Sequence, residues 1–217
     1  MIYLSKLILF AGAASLLCLL LLHFLSPEYQ PSWRMISEYA LGKHKTFLTA
    51  FFVLSGLCTM LVAVLLWNET TTIWSKVGLV LVFLSRVGSL MGSLFDLKHP
   101  LHGAAFALGV PTIAVGALLV TYHLVKRVDW TQYSTVTIVS AHSIWISIVL
   151  MGVSMVVMMN GFKQAGLPMG PDATPPESVP NGVVAVAGYF NRLLVVCNVG
   201  WVMVMAYVDM ILKDAAS

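Results

Sequence analysis

The sequence predicts an all-α polytopic membrane protein: a bundle of six transmembrane helices with a short interfacial helix between spans one and two. Three observations carry that reading. The 217 residues are 59% hydrophobic and 10% charged, with a mean hydropathy of +0.90, whereas a soluble domain is nearer a quarter charged. Six apolar runs have the length a bilayer demands, since about 20 residues at about 1.5 Å each cover a hydrocarbon core of roughly 30 Å. The chain is long enough for one such bundle and too short for a bundle plus a soluble domain, so residues 1–217 form a single transmembrane domain.

Taken in order, the first run is Leu4 to Phe24. It lacks the small-residue cleavage site of a signal peptide and so reads as the first span. Phe47 to Trp67, Val77 to Phe95 and Leu101 to Val125 give spans two to four, with Pro111 expected to bend the fourth. Thr135 to Met159 is the fifth. The sixth covers Val183 to Leu212, with a late start near Gly188. Gly88 and Gly92, with Ser85, Ser89 and Ser93, make a small-residue ridge that lets another helix approach closely. Cys18, Cys58 and Cys197 all fall within apolar runs and read as small core residues rather than a disulfide or metal framework.

Six spans place both termini on one face, side A. Lys6, Lys76, Lys126, Arg127 and Lys213 fall there. Arg34, Lys43, Lys45, Lys98, Lys163 and Arg192 fall on side B. The count alone does not orient the chain. Side A has the shorter loops and the bases that flank spans most tightly, so both termini are expected in the cytoplasm of a cell whose inner (plasma) membrane the chain spans. Net charge is +3 and dispersed, which implies no nucleic-acid surface.

Both long loops lie on side B. In SPEYQPSWRMISEYALGKHK, Ser32 is expected to cap a helix ending at Leu41, with Gly42 as its stop. Trp33, Ile36 and Ala40 would share one face, which suits a helix lying in the membrane interface. QAGLPMGPDATPPESVPNG holds five prolines and reads as an extended loop.

The pieces PSWRMISEYALG, SLFDLKHPLHG and GYFNRLLVVCNVGW, in this order on a six-span chain, resemble the bacterial and archaeal membrane family described as domain of unknown function 998. The Pro31-x-x-x-x-Ile36-Ser37-Glu38 portion is also similar to eukaryotic six-span proteins of the autophagy-modulator type. The resemblance covers nearly the whole chain and implies a six-helix bundle. It supplies no catalytic residue, because the family carries no agreed chemistry. The Pro-rich loop is longer than the family pattern needs.

Candidate chemistry gathers on side B. Pro100 suits the first turn of span four, which puts His99 at its cap, His102 in its first turn and Asp96 just before. A carboxylate with two imidazoles could act in acid–base chemistry or hold a metal. The histidines are three apart across a proline, not the four-apart pair of metalloprotease helices, and no metal is assigned. A capped, hydrated turn accounts for the same residues. Ser37 could join them as a nucleophile, although nothing sets it on a sharp elbow. Glu38 and Tyr39 could face a ligand there, and Arg192 at the mouth of span six could clamp a phosphate or carboxylate. No cofactor is assigned. Bis-histidine haem needs two histidines at one depth, and only His142 is deep.

Arg86 is the remaining signal. Counted from Val77 it lies about 13 Å into the bilayer, where an unpartnered arginine is costly. A buried polar layer of Arg86, Asn198 and His142 is expected, with Asp209 as possible counter-charge. The reading that follows is a membrane protein binding a lipid or small amphiphile at a polar site open to the non-cytoplasmic face. The alternatives are a membrane-embedded hydrolase using Asp96, His99 and His102, with or without a metal, and an accessory subunit docking a protein partner in the membrane.

Overall fold

A computed structural model describes residues 2–94, 100–168 and 176–215, with backbone alone for 90–94 and 100–103. Six long helices and two short ones follow one another: α1 (Ile2–Leu25), a 3-10 helix (Ile36–Leu41), α2 (Lys45–Leu65), α3 (Ile73–Leu94), α4 (Pro100–Leu124), the single-turn α5 (Val128–Thr131), α6 (Ser134–Gln164) and α7 (Ala187–Asp214). Among the described residues there is no strand. Helices α1, α2, α4, α6 and α7 are long and apolar enough to cross a membrane, so the protein is a multi-pass helical membrane protein. The sixth long helix, α3, has 22 residues, with side chains described only as far as Ser89.

The helices are inside-out relative to a soluble bundle. On α1 the buried positions include Ser5, Ala11, Gly12 and Ser15, while Tyr3, Phe10 and Phe24 point outward and are exposed. A soluble helix confines its apolar residues to the core stripe; one apolar all round faces hydrocarbon. Small residues inside let backbones come close where no hydrophobic difference between lipid and protein would draw them together. On α6 the buried set runs Thr137, Ala141, Ile144, Ser147, Met151, Ser154, Met158 and Phe162, three or four apart, one continuous seam. The inward hydroxyls do not stay bare: Ser147 donates to Ile144 O at 2.7 Å and Ser154 to Met151 O at 2.9 Å.

The closest pair is α3 with α4. A Cβ built on Gly88 would sit 2.5 Å from Gly109 N and 2.6 Å from Ala105 O. One on Gly116 would sit 2.7 Å from Gly78 O, so the two helices touch backbone to backbone at two levels. The expected glycine ridge thus meets a second glycine set on α4, and its packing partner lies within the bundle. Helix α4 stays continuous through Pro111, where Thr112 returns its hydroxyl to Leu108 O.

The side-A end combines a buried core with a set of ion pairs, and an open groove of about 340 Å³ remains between α2 and α3 beside Ala63, Trp67, Leu79 and Phe83. Trp130 of α5, Trp201, Met205 and Leu124 are fully buried in the main core. Above them Glu69 bridges Arg127 at 2.7 Å and Lys213 at 3.3 Å, and Lys213 also reaches Asp209 at 2.5 Å. Arg127 pairs with Asp129 at 2.8 Å and holds its carboxyl below the usual range, chiefly by that hydrogen bond. The contribution of this exposed pair is complete above the ordinary Asp value of about 3.9 and fades as the pH falls through the lowered one.

The side-B loop departs from expectation in detail. Its helix starts at Ile36, not Ser32, and Glu38 rather than Ser32 caps it, accepting from Met35 N at 2.7 Å. Its apolar residues turn into the bundle instead of the lipid interface: Ile36 and Tyr39 pack with Leu19, Leu22, Leu48 and Phe51. Trp33 packs with Met158, Phe162 and Ala187. The loop thus plugs the end of the bundle at two points. Between them Gly188 lies under the loop, its N–H donating to Ser32 O at 2.8 Å, an otherwise orphan donor of the α7 N-terminus.

Candidate functional site

The side-B half is not filled. A cavity of about 150 Å³ lies between α2, α3, α4 and α7, and the 3-10 helix closes part of it with Ile36 and Ser37. Phe51, Phe52 and Ser55 line it from α2, Phe106 and Val110 from α4, and Asn191, Leu194, Val195 and Asn198 from α7. Arg86 and Ser89 enter from α3.

Arg86 is 5% exposed, and its Nε and Nη2 are buried without a hydrogen-bond partner among the described residues. No ion pair reaches it among the described residues. Asn198 Oδ1 on the facing helix is likewise buried and unpartnered. The serines are less available: Ser55 donates to Phe52 O at 3.2 Å and Ser89 to Ser85 O at 3.1 Å. Asn191, which the sequence reading passed over, holds the roof in place by accepting from Ile36 N at 2.9 Å. Buried donors and acceptors without partners are rare in native interiors; Ser26 Oγ and Arg34 Nε are two others in the loop, while those of Arg86 and Asn198 face one cavity.

The rest of the expected layer is elsewhere. His142 lies between Tyr122 and Trp145: Trp145 Nε1 donates to its Nδ1 at 2.7 Å, and its Nε2 is 2.8 Å from the Tyr122 hydroxyl. Asp209 accepts from Ser5 at 3.0 Å and pairs with Lys213, at the side-A end. The depth count failed because α3 begins at Ile73 rather than Val77. Arg86 is then about 20 Å from the side-A end of its helix and about 12 Å from the side-B end, whereas His142 is about 12 Å from the side-A end of α6.

Three expected ligand contacts are engaged by other groups of the protein. Arg192 donates through Nε to His23 Nε2 at 2.6 Å, through Nη1 to Arg34 O at 2.7 Å and Gly188 O at 3.0 Å, and through Nη2 to the Tyr39 hydroxyl at 3.1 Å. His23 Nδ1 faces Leu19 O at 2.6 Å, and a carbonyl only accepts, so the ring is neutral with its proton on Nδ1. Tyr39 passes its own proton toward Tyr29 O at 3.3 Å. Glu38 pairs with Arg34 at 2.8 Å while capping the 3-10 helix. Arg192 and Tyr39 therefore tie the loop to α1 and α7, while Glu38 is held within the loop by Arg34 and Met35 N.

Of the proposed catalytic set, Asp96 and His99 lie outside the described residues, and His102 is described only by its backbone in the first turn of α4. Ser37 does line the cavity, but no histidine lines it with Ser37 among the described residues. Among those residues no three of His, Cys, Asp and Glu gather as a metal site.

These features define a polytopic helical membrane protein with a partly open cavity between its helices, lined by both apolar and polar side chains. The chain belongs to the family described as Protein of unknown function (DUF998), which it matches over residues 9–208. Neither a curated protein nor a solved structure matches it.

Proposed function

We propose that this chain is a six-span protein of the plasma membrane, with α3 as a span and both termini in the cytoplasm, and that it binds a lipid or small amphiphile in the cavity beside Arg86. The observation that carries the reading is the pair of buried polar side chains, Arg86 and Asn198, that line one cavity with atoms lacking a hydrogen-bond partner among the described residues. Uncompensated buried polar groups cost on the order of 1–3 kcal/mol each, more when charged, and a bound headgroup offsets that cost. Apolar Phe51, Leu194 and Val195 on the same wall suit the first carbons of a chain.

Native mass spectrometry of the full chain released from membranes tests the binding. An added mass should accompany the wild type and be lost in Val195→Phe, which places a ring in the cavity. Loss of the reading follows if both proteins fly bare, or if both carry the same mass. Orientation is tested separately. A reporter fused after Ser217 should be active only in the cytoplasm, and one inserted in the loop joining α6 to α7 only outside. Reversed activities would put the 3-10 helix and the side-B end of the cavity in the cytoplasm.

A further inference from the structure

Resting on that reading, we infer that the cavity ligand is a single-chain amphiphile with an anionic headgroup, a carboxylate or a phosphate monoester, for which Arg86 is the counter-ion. The first argument is charge. Arg86 is the one charged side chain on the cavity wall among the described residues. A guanidinium stays protonated and only donates. Its buried Nε and Nη2 therefore call for acceptors, and its charge calls for a negative partner. Planar oxyanions take two such donors at once. A neutral alcohol would satisfy a donor and leave the charge uncompensated, and a cation would be repelled.

The second argument is size. A cavity of about 150 Å³ is the size of one that holds benzene, so it takes a headgroup and a few carbons, not a two-chain phospholipid. The rest of the chain has to leave sideways. Phe106 lines the cavity and is also 48% exposed on the lipid-facing side of α4. A tail passing Phe106 goes straight into hydrocarbon while its head stays on Arg86. Exit upward is obstructed by the 3-10 helix, which the Arg192 lock and Asn191 hold in place.

The test is a thermal-shift titration of the full-length chain in a neutral detergent. Dodecanoate, dodecyl phosphate, dodecanol, dodecyltrimethylammonium and inorganic phosphate serve as probes. The two anionic amphiphiles should bind at least about tenfold more tightly than dodecanol, the fold-change of one charge-assisted contact, and the cation should not bind. The tighter of the two names the headgroup. Arg86→Gln should erase the preference, and Arg86→Lys, which keeps the charge, should retain it. Dodecanol binding as tightly as dodecanoate, with Arg86→Gln unchanged, would leave the amphiphile site standing and overturn the anionic headgroup. Inorganic phosphate binding as tightly as dodecyl phosphate would overturn the tail. No probe binding at all would sink the amphiphile site itself. Asp96→Asn should leave the dodecanoate affinity unchanged; a tenfold rise would mean that Asp96, not a ligand, neutralises Arg86, and the inference would fall.

Discussion

Gly88→Ala is expected to destabilise the protein by about 3 kcal/mol although it adds one methyl group, and Gly88→Val to abolish the folded state. The added carbon meets Gly109 N at 2.5 Å and Ala105 O at 2.6 Å, and these are backbone atoms of α4, with no rotamer to move aside. Helix propensity pulls the other way, since Ala is favoured over Gly by about 1 kcal/mol inside a helix. Overpacking a tight contact costs about 1–3 kcal/mol and more where the backbone has to shift. The clash wins because separating α3 from α4 here also strains the second contact of Gly116 with Gly78. Gly152→Ala on α6 is the matching control, because a Cβ there meets nothing within 4 Å. It should leave the unfolding midpoint unchanged or raise it. Equal effects of the two substitutions, measured by unfolding in mixed micelles, would mean that α3 and α4 do not pack through these glycines.

Length and hydropathy made the helices legible, because a run such as Leu4 to Phe24 has few alternatives once it must cross hydrocarbon. The ends were harder. Ser75 and Lys76 interrupt the apolar pattern, so the apolar run begins at Val77 while the helix begins at Ile73. That one turn moved the apparent depth of Arg86 and set it falsely level with His142. The loop from Ser26 to His44 misled for a different reason. Trp33, Ile36 and Ala40 read as one apolar face, whereas Tyr39 is buried and Ala40 exposed, and a pattern does not say whether such a face meets lipid or the open end of a bundle. The second answer holds because α1, α2, α6 and α7 leave two gaps that Trp33, Ile36 and Tyr39 fill. Arg86 and Asn198 were readable as costly residues within apolar runs. Asn191 was not, since a polar residue within about the first turn of a helix carries no such penalty and its bond to Ile36 N joins segments 155 residues apart.

The two buried arginines of the side-B half should respond in opposite ways to the same substitution. Arg192→Leu removes a donor from four acceptors at once: His23 Nε2, Arg34 O, the Tyr39 hydroxyl and Gly188 O, the last of which keeps its helical N–H partner. Each buried acceptor left bare costs about 1–3 kcal/mol, and the loop can recover part of that only by lifting Tyr39 and Ile36 out of their core. The expected loss is about 3 kcal/mol or more, with the loop becoming cleavable by protease near Arg34. Arg86→Leu removes no protein hydrogen bond and no ion pair among the described residues, and it takes a desolvated charge out of the bundle. Replacing a buried charge by an apolar side chain of fitting size is often neutral or stabilising. In protein stripped of bound amphiphile, Arg86→Leu should therefore unfold no earlier than the wild type, and added dodecanoate should stabilise only the wild type. If Arg86→Leu unfolds early in the stripped protein while Arg192→Leu does not, Arg86 is a structural tether and Arg192 the residue that waits for a ligand.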